Sequence, residues 1–306
     1  MKKTGIRTVL AWLVILLATF FFGRALVRNW TNLQTIDFSV NIYSFFGLVM
    51  LVVAVLYSGL LWGAILKRLN IVISKKEALA VHTSSWLLKY IPGQAGSYVN
   101  KVAWGTKNGH SKKVLSISFM YENIFLLLAS LILSLPVLGL FFSDVSSNVS
   151  MFSPLLLGLL ALPLLSKKAF YRIFNTVLKK VRNQTIGQEY FFDSKTLVVF
   201  VVKFLIPRII TAVAFVFIAA SILPVTPDMY IGLGSIYTLA GIIGIMAIFV
   251  PSGLGVREAV IVAFASNYFS TEEAIALALL ARLYATVADG ILAILYLILR
   301  TKGASK

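Results

Sequence analysis

A Pro/Gly-rich break near the C-terminal end of the chain carries the residue types best suited to chemistry, and apolar sequence flanks it on both sides. Its residues are Pro251, Ser252, Gly253, Leu254, Gly255, Val256, Arg257 and Glu258. Proline removes a backbone donor and glycine permits unusual dihedral angles, so a helix should stop here. A charged pair inside a membrane is costly, which makes this pair a candidate functional site. The alternative is an ordinary loop at the membrane surface.

A second break earlier in the chain has the same pattern of a proline and a glycine four positions apart. Its punctuating residues are Pro92, Gly93 and Gly96. Each break is followed by a long apolar stretch with an ionisable residue, and the separation from Pro92 to Glu122 is only one position shorter than that from Pro251 to Arg282. The apolar runs around the first break are too short to span a bilayer, so we predict a re-entrant helical hairpin. A pair of amphipathic helices at the membrane surface is the alternative.

The composition bounds the class of protein. The chain has 306 residues, of which 59% are hydrophobic and 13% are charged, and several apolar runs reach the roughly 20 residues that span a bilayer. We therefore predict an all-α integral membrane protein, a polytopic helical bundle. No polar stretch is long enough for a soluble domain, so residues 1–306 are treated as one domain. It would comprise a repeat over about 42–142, a cytoplasmic connector over 166–195 and a second repeat over about 196–299.

The basic residues predict how the chain crosses the membrane. Twenty of the 28 Lys and Arg residues fall in the two termini and in three loops that share one side when the apolar runs cross in order. Those loops are residues 67–76, 107–113 and 166–195. This positive-inside pattern predicts a multi-pass cell-membrane protein with both termini in the cytoplasm. The charge follows the topology, which favours contact with anionic lipid over binding of nucleic acid.

Counting the crossings gives the two halves of the chain opposite orientations. The predicted spanning segments are residues 8–27, 42–66, 114–142, 151–165, 196–223 and 272–299. The first hairpin then enters from the cytoplasm, and the second, over 230–265, enters from outside. That arrangement is an inverted-topology repeat, and transporters built this way bind substrate near the midplane, where the broken helices of the two repeats meet. The connector is predicted to contain a helix on the inner membrane surface.

Basic side chains outnumber acidic ones within the apolar segments, which points to an anionic substrate. The candidate substrate-binding residues are Arg257, Glu258, Arg282, Glu122, Arg208, Lys203 and Asp289. Arginine suits bidentate recognition of phosphate, and helix N-termini after glycine-rich breaks add backbone donors. We expect Glu258 to order Arg257, and Glu258 or Glu122 to meet a cationic head group or to carry a coupling proton. The alternative is that these charges pair off as structural salt bridges.

Several kinds of chemistry find no support in the sequence. The chain has no cysteine and only two histidines, His82 and His110, which are far apart and have no carboxylate at ligand spacing. A metal site is therefore not expected. No nucleotide-binding loop and no nucleophile–base set is present, so we predict neither a cofactor nor an enzymatic activity.

The residues of the two breaks resemble a known family. Residues 251–258, with Arg282 downstream, look like the signature of the lysylphosphatidylglycerol synthase transmembrane family, and residues 92–96 resemble its first hairpin. The resemblance covers roughly residues 8–299. In two-domain synthases of this family, this region is implicated in moving aminoacylated phosphatidylglycerol to the outer leaflet, and a separate soluble domain transfers the amino acid. No stretch of this sequence corresponds to that soluble domain, so the resemblance implies a stand-alone, flippase-like protein.

We therefore predict a lipid flippase that moves a phosphate-bearing lipid between leaflets. The resemblance implies an anionic or aminoacylated phospholipid, and relatives are also associated with polyprenyl-linked sugar pathways, so a polyprenyl-phosphate lipid is a further candidate. The alternatives are an integral-membrane enzyme and a scaffold subunit that acts on lipid-linked substrates. The sequence leaves the oligomeric state open, a homo-oligomer included.

Overall fold

The structure, a computed structural model, describes residues 40–91, 95–141, 166–182, 185–247 and 250–299. All regular secondary structure within these ranges is helical. The predicted segments 8–27 and 151–165 lie outside the described residues, and so do Pro92 and Gly93 of the first break.

The first half of the described chain contains four helices. They are α1 (Ile42–Arg68), α2 (Lys75–Leu87), α3 (Ala95–Lys107) and α4 (Lys112–Phe141). Two of them begin at side chains that accept hydrogen bonds from the first free backbone N–H groups: Asn41 accepts from Ser44 at 3.1 Å, and Ser74 accepts from Glu77 at 3.1 Å. A 3₁₀ turn, Leu88–Tyr90, extends α2 toward the first break.

The second half contains five further helices. They are α5 (Lys167–Arg182), α6 (Ser194–Ala220), α7 (Tyr230–Met246), α8 (Val256–Ala265) and α9 (Thr271–Leu299). Asp193 caps α6 by accepting from the backbone N–H of Thr196 at 3.2 Å. The long helices α1, α4, α6 and α9 agree with the predicted spanning segments to within three residues at each end.

Five of these helical segments are long and apolar enough to cross a membrane. They are Ile42–Arg68, Lys112–Val137, Gln188–Ala220, Pro227–Met246 and Thr271–Leu299. By contrast, α2, α3 and α8 have 13, 13 and 10 residues. At 1.5 Å per residue, a helix of this length reaches at most about two-thirds of the way across the roughly 30 Å of hydrocarbon.

The second break is a tight, glycine-dependent turn between α7 and α8. The helix α7 ends at Met246, four residues earlier than predicted, and α8 begins only at Val256. Gly253 has a φ of 66°, in the left-handed region that favours glycine. A Cβ atom on Gly253 would lie 2.7 Å from the Cα of Gly244. The turn therefore packs its backbone directly onto α7, which only glycine permits.

The helices pack on the same plan in both halves of the described chain. In each half the consecutive helices contact each other, α1 with α2, α2 with α3 and α3 with α4, as α6 does with α7, α7 with α8 and α8 with α9. The last helix of each half also contacts two helices of the other half. Helix α4 contacts α6 and α7, and α9 contacts α1 and α2. The long helices α1 and α6 form the most extensive contact among the described helices. Four elements of each half thus surround a shared centre.

The connector helix α5 is anchored by aromatic rings. Phe170 of α5 is buried and stacks on Tyr121 of α4, with ring centroids 5.6 Å apart. The hydroxyl of Tyr121 accepts a hydrogen bond from the backbone N–H of Phe192 at 2.9 Å and donates one to the carbonyl of Tyr190 at 3.2 Å. A helix therefore forms where one was predicted in the connector, and its position on the membrane surface stays a prediction.

Candidate functional site

A cavity of about 160 Å³ lies at the shared centre of the two halves. It is large enough for several water molecules. The first half contributes lining residues from α1, from the α2–α3 pair and from α4, and the second half contributes them from α6, α7, α9 and the second break. Gly253 of the second break and Ser97, close after the first break, both line it. The cavity is therefore bordered by both of the interrupted segments that the sequence singled out.

Arg208 of α6 and Arg257 of α8 supply the unbalanced positive charge of the cavity. Both side chains line it, and neither forms an ion pair within the described ranges. The Nε atom of each is buried and has no hydrogen-bond partner among the described residues. Two half-buried arginines at one cavity, each with a buried Nε that has no partner in the described ranges, are costly, so this arrangement favours an anion in the cavity.

Gly244 of α7 makes room for Arg257. A Cβ atom at position 244 would lie 2.6 Å from both the Cγ and the Nε of Arg257. The arginine side chain therefore runs across a helix surface that has no side chain at that point. The break before α8 and the glycine on α7 together place the guanidinium at the cavity.

A buried triad of ionisable groups occupies the side of the cavity formed by the first half. Lys101 of α3 pairs with the carboxylate of Glu122 on α4, and the Nδ1 atom of His82 on α2 lies 3.1 Å from the other oxygen of that carboxylate. The ammonium of Lys101 also lies 4.5 Å from the ring centre of Trp62 on α1. All three ionisable side chains are buried. Glu122 is thus held by a short hairpin helix on one side and by the histidine on the other.

A second ion pair joins the two halves across the cavity. The ammonium of Lys89, in the turn that follows α2, lies 2.8 Å from both carboxylate oxygens of Asp289 on α9. The indole N–H of Trp86 donates to the same carboxylate at 2.9 Å. This contact ties the first hairpin to the last helix of the second half.

The charges that line the cavity leave a positive surplus. Four basic side chains, Lys89, Lys101, Arg208 and Arg257, face two acidic ones, Glu122 and Asp289. Each acid is paired with a lysine, so the two formal charges that remain belong to the arginines. A phosphate group carries charge of the opposite sign and presents the oxygen acceptors that guanidinium groups bind in a bidentate fashion.

The predicted site residues divide into those at the cavity and those beside it. Arg257, Arg208, Glu122 and Asp289 line the cavity, and Glu258 and Arg282 do not. The carboxylate of Glu258 lies 3.8 Å from the Nε of Arg282, and no ion pair links it to Arg257 in the described part of the chain. The carboxylate of Glu258 thus faces α9, and the expectation that Glu258 orders Arg257 gains no support from an ion pair in these ranges.

Lys203 lies apart from the cavity, although it is only five residues before Arg208. It borders a separate surface depression together with Lys67 and Arg68 at the end of α1 and Lys195 at the start of α6. Its side chain is exposed. A helix turns by about 100° per residue, so these two positions of α6 point in different directions. Because Lys203 and Arg208 are both basic residues of one apolar segment, the sequence could not show that only Arg208 lines the cavity.

The lining residues that sequence reasoning left out of the site include His82, Trp86, Lys89, Lys101 and Tyr237. Four of them come from the first hairpin. The signal that could have found them is the cluster of polar residues in an apolar setting between residues 82 and 101. The two partners of His82 belong to the next two helices of the chain, so the spacing of residues along the sequence could not identify them. Within the described ranges, no group of three His, Asp or Glu side chains could hold a metal ion.

The helical, membrane-spanning fold agrees with what the chain is similar to. Residues 6–293 match the family described as the lysylphosphatidylglycerol synthase TM region. The chain belongs to this family. With five helices in its described part that are long and apolar enough to span a bilayer, this family member is a multi-pass membrane protein. The family suggests a function related to membrane lipids. No curated protein is similar enough to this chain to add to that assignment.

Proposed function

We propose that this member of the lysylphosphatidylglycerol synthase TM region family is a lipid flippase that moves a phosphate-bearing lipid between the two leaflets. The observation that carries the proposal is the pair of arginines, Arg208 and Arg257, whose side chains line one cavity and whose buried Nε atoms have no partner among the described residues. A lipid phosphate in that cavity would satisfy both groups.

The architecture that we propose is an inverted repeat with two re-entrant hairpins. Support comes from the corresponding helix contacts in the two halves and from the short lengths of α2, α3 and α8. It also comes from the central position of the cavity between the two interrupted segments. In transporters of this kind the two repeats rock about a site at the midplane and expose it to each side in turn. Both termini lie in the cytoplasm in this proposal, because the basic loops favour that orientation.

The acidic residues bear on which lipid is moved. Glu122 and Asp289 are each paired with a lysine, so neither carboxylate is set up to bind a cationic amino group without first releasing its partner. The surplus of charge favours an anionic head group such as that of phosphatidylglycerol or of a polyprenyl phosphate. An aminoacylated phosphatidylglycerol would require one of the lysine–carboxylate pairs to open.

The test is leaflet exchange in proteoliposomes that contain the purified protein. Fluorescent phosphatidylglycerol, its lysyl derivative and a polyprenyl-phosphate sugar would be assayed separately, with wild-type protein beside Arg257→Ala. We expect one of these lipids to move with the wild type, and the Arg257→Ala variant to lose that movement while keeping its helical content and thermal midpoint. The matched control is Lys203→Ala, which removes a basic residue that does not line the cavity.

The outcomes separate the competing functions. Movement of a lipid that survives Arg257→Ala would overturn the role of the arginine pair. Absence of movement for all three lipids, in protein of unchanged helical content, would overturn the flippase proposal for these lipid classes. Chemical conversion of a lipid without leaflet exchange would favour a membrane enzyme instead.

A further inference from the structure

The buried triad on the first-half side of the cavity is not needed to bind a phosphate. Lys101 and Glu122 neutralise each other, which leaves His82 as a titratable group in a setting that is already balanced. It is one of only two histidines in the chain, and it is 5% exposed. Histidine is the side chain whose ordinary pKa lies closest to neutral pH. A buried histidine at the proposed transport cavity is therefore a candidate proton-binding group.

The contacts of His82 fix which ring atom is available. Nδ1 lies 3.1 Å from a carboxylate oxygen of Glu122, which can only accept, and 3.3 Å from the ammonium of Lys101, which can only donate. The ammonium already donates to the other oxygen of Glu122. The shorter contact favours a proton on Nδ1 that is donated to Glu122, and Nε2 is then the atom with a free lone pair.

Nε2 is the unsatisfied atom of this ring. It is buried, and it has no hydrogen-bond partner among the described residues. His82 also lines the cavity. A buried acceptor without a partner is unfavourable unless something reaches it. Nε2 is closed to water in this conformation, and we expect water from the adjoining cavity to reach it when the cavity opens. The resulting imidazolium would be stabilised by the carboxylate of Glu122, which already contacts the opposite nitrogen. Burial and the ammonium of Lys101, 3.3 Å from Nδ1, oppose the charged ring.

The groups around His82 come from several helices. Helix α1 packs against His82 at Gly59, where an added Cβ would lie 3.1 Å away, and places the uncharged ring of Trp62 beside Lys101. Helix α3 contributes Lys101, and α4 contributes Glu122. Helix α9 contributes Asp289, which Lys89 neutralises. Across the same cavity stand the two arginines and Tyr237.

We propose that His82, with Glu122 and Lys101, forms a proton-binding site that couples lipid movement to a proton gradient. This inference rests on the proposed flippase function and adds the coupling ion to it. The step is a proton transfer alone: a proton from cavity water binds Nε2, His82 becomes cationic, and the proton leaves again when the cavity opens to the other side. The added positive charge strengthens the attraction of the cavity for a phosphate, so proton and anionic lipid bind cooperatively and move together.

Linkage makes the cooperation measurable without any transport. If an anionic lipid binds more tightly when His82 is protonated, the lipid must raise the pH at which His82 titrates by the same coupling. The variant His110→Gln leaves His82 as the single histidine in the chain, so its ring signals can be followed by NMR. The probe is the purified variant in neutral detergent, titrated with and without added phosphatidylglycerol.

The titration covers about pH 5–8, the range in which histidine ordinarily changes charge. We expect the His82 ring signals to change on its acid side, because burial disfavours the charged ring and lowers the pKa of His82. We also expect phosphatidylglycerol to raise the titration midpoint. A ring that keeps its charge state throughout this range would overturn the proton site. A midpoint that phosphatidylglycerol leaves unchanged would overturn the coupling.

Transport supplies the second measurement. In proteoliposomes at zero membrane potential, coupling of one proton to one lipid predicts that a gradient of about one pH unit shifts the steady-state leaflet distribution by about tenfold. We expect His82→Gln to abolish this shift, and His110→Gln, which alters a residue that does not line the cavity, to retain it. A distribution that ignores the gradient in wild-type protein, or one that follows it in His82→Gln, would overturn the proposal.

Failure of the flippase proposal would look different. If wild-type protein moves none of the lipids tested, the proposed function fails for them, and the NMR titration then decides the proton site by itself. A midpoint raised by phosphatidylglycerol would still support a coupled proton and lipid site, and an unchanged midpoint would overturn it. Because the NMR variant keeps His82 in place, this result does not depend on whether His82→Gln folds.

Discussion

The ammonium of Lys89 lies 2.8 Å from the carboxylate of Asp289, although the two residues are 200 positions apart in the chain. Lys89 follows the first short helix of the first hairpin, and Asp289 belongs to the last helix of the second half. Trp86 adds a hydrogen bond to the same carboxylate. One buried acid therefore fixes the position of the first hairpin against the opposite half of the molecule, at the edge of the cavity.

Breaking this contact should loosen the two halves. We expect Asp289→Asn to lower the free energy of unfolding by about 3 kcal/mol, because the charge of Lys89 loses its counter-ion in a largely buried setting. Thermal or denaturant unfolding in detergent measures the effect. The exchange Lys89→Asp with Asp289→Lys should recover part of the loss, since the Trp86 indole would still lack its acceptor. A double exchange no more stable than either single variant would contradict the pairing.

Arg208 should contribute directly to lipid affinity. We expect Arg208→Ala to weaken binding of a short-chain phosphatidylglycerol by about 10- to 100-fold, the equivalent of one or two charge-assisted hydrogen bonds. Calorimetric titration of the detergent-solubilised protein measures this. Arg208→Lys should restore only part of the affinity, because an ammonium cannot bind phosphate in a bidentate fashion.

Lys203 provides the matched control for that measurement. It lies on the same helix but is exposed and does not line the cavity, so Lys203→Ala should leave the affinity unchanged. Equal losses in the two alanine variants would indicate that general positive charge, rather than the cavity, attracts the lipid.

Gly253 should be intolerant of any side chain. We expect Gly253→Ala to reduce the free energy of unfolding by about 1–3 kcal/mol, because alanine would be strained at a φ of 66°. Its Cβ would also meet backbone atoms of Gly244, which cannot turn aside. The thermal midpoint of the purified variant measures the loss. Gly290→Ala is the control, since a Cβ there meets no atom within 4 Å, and a similar loss in both variants would refute the close-packing argument.

Gly244 should be sensitive in function more than in stability. The atoms that an added Cβ would meet belong to the flexible side chain of Arg257, which can move away. We therefore expect Gly244→Ala to keep a thermal midpoint close to that of the wild type and to weaken phosphatidylglycerol binding, because the guanidinium is displaced. Binding at the wild-type level in a folded Gly244→Ala protein would show that the position of Arg257 over α7 is unimportant.

The long helices were predictable from sequence because their signal is local. Runs of apolar residues bounded by basic loops placed α1, α4, α6 and α9 to within three residues. The break at Pro251 was predictable for the same reason. The length of the break was not predictable. Helix α7 already ends at Met246, and the backbone that follows packs Gly253 onto Gly244. That packing depends on a contact between two segments, and the order of apolar residues along the chain does not reveal it.

The partners of the charged residues show where sequence reasoning stops. Glu258 was expected to order its neighbour Arg257, and its carboxylate lies near Arg282 on another helix. Lys203 and Arg208 looked equivalent as basic residues of one apolar helix, and only Arg208 lines the cavity. In both cases the direction of a side chain depends on helix rotation and on the neighbouring helix.

By itself, the sequence determined that this chain is a helical membrane protein with two Pro/Gly breaks and a surplus of intramembrane basic residues, because hydrophobicity, charge bias and helix-breaking residues act locally along the chain. The tertiary structure decided which charges neutralise each other. It paired Lys101 with Glu122 and Lys89 with Asp289, and it left Arg208 and Arg257 to face one cavity. The physical reason is that electrostatic pairing depends on distance in space, and the packing of helices from both halves sets those distances.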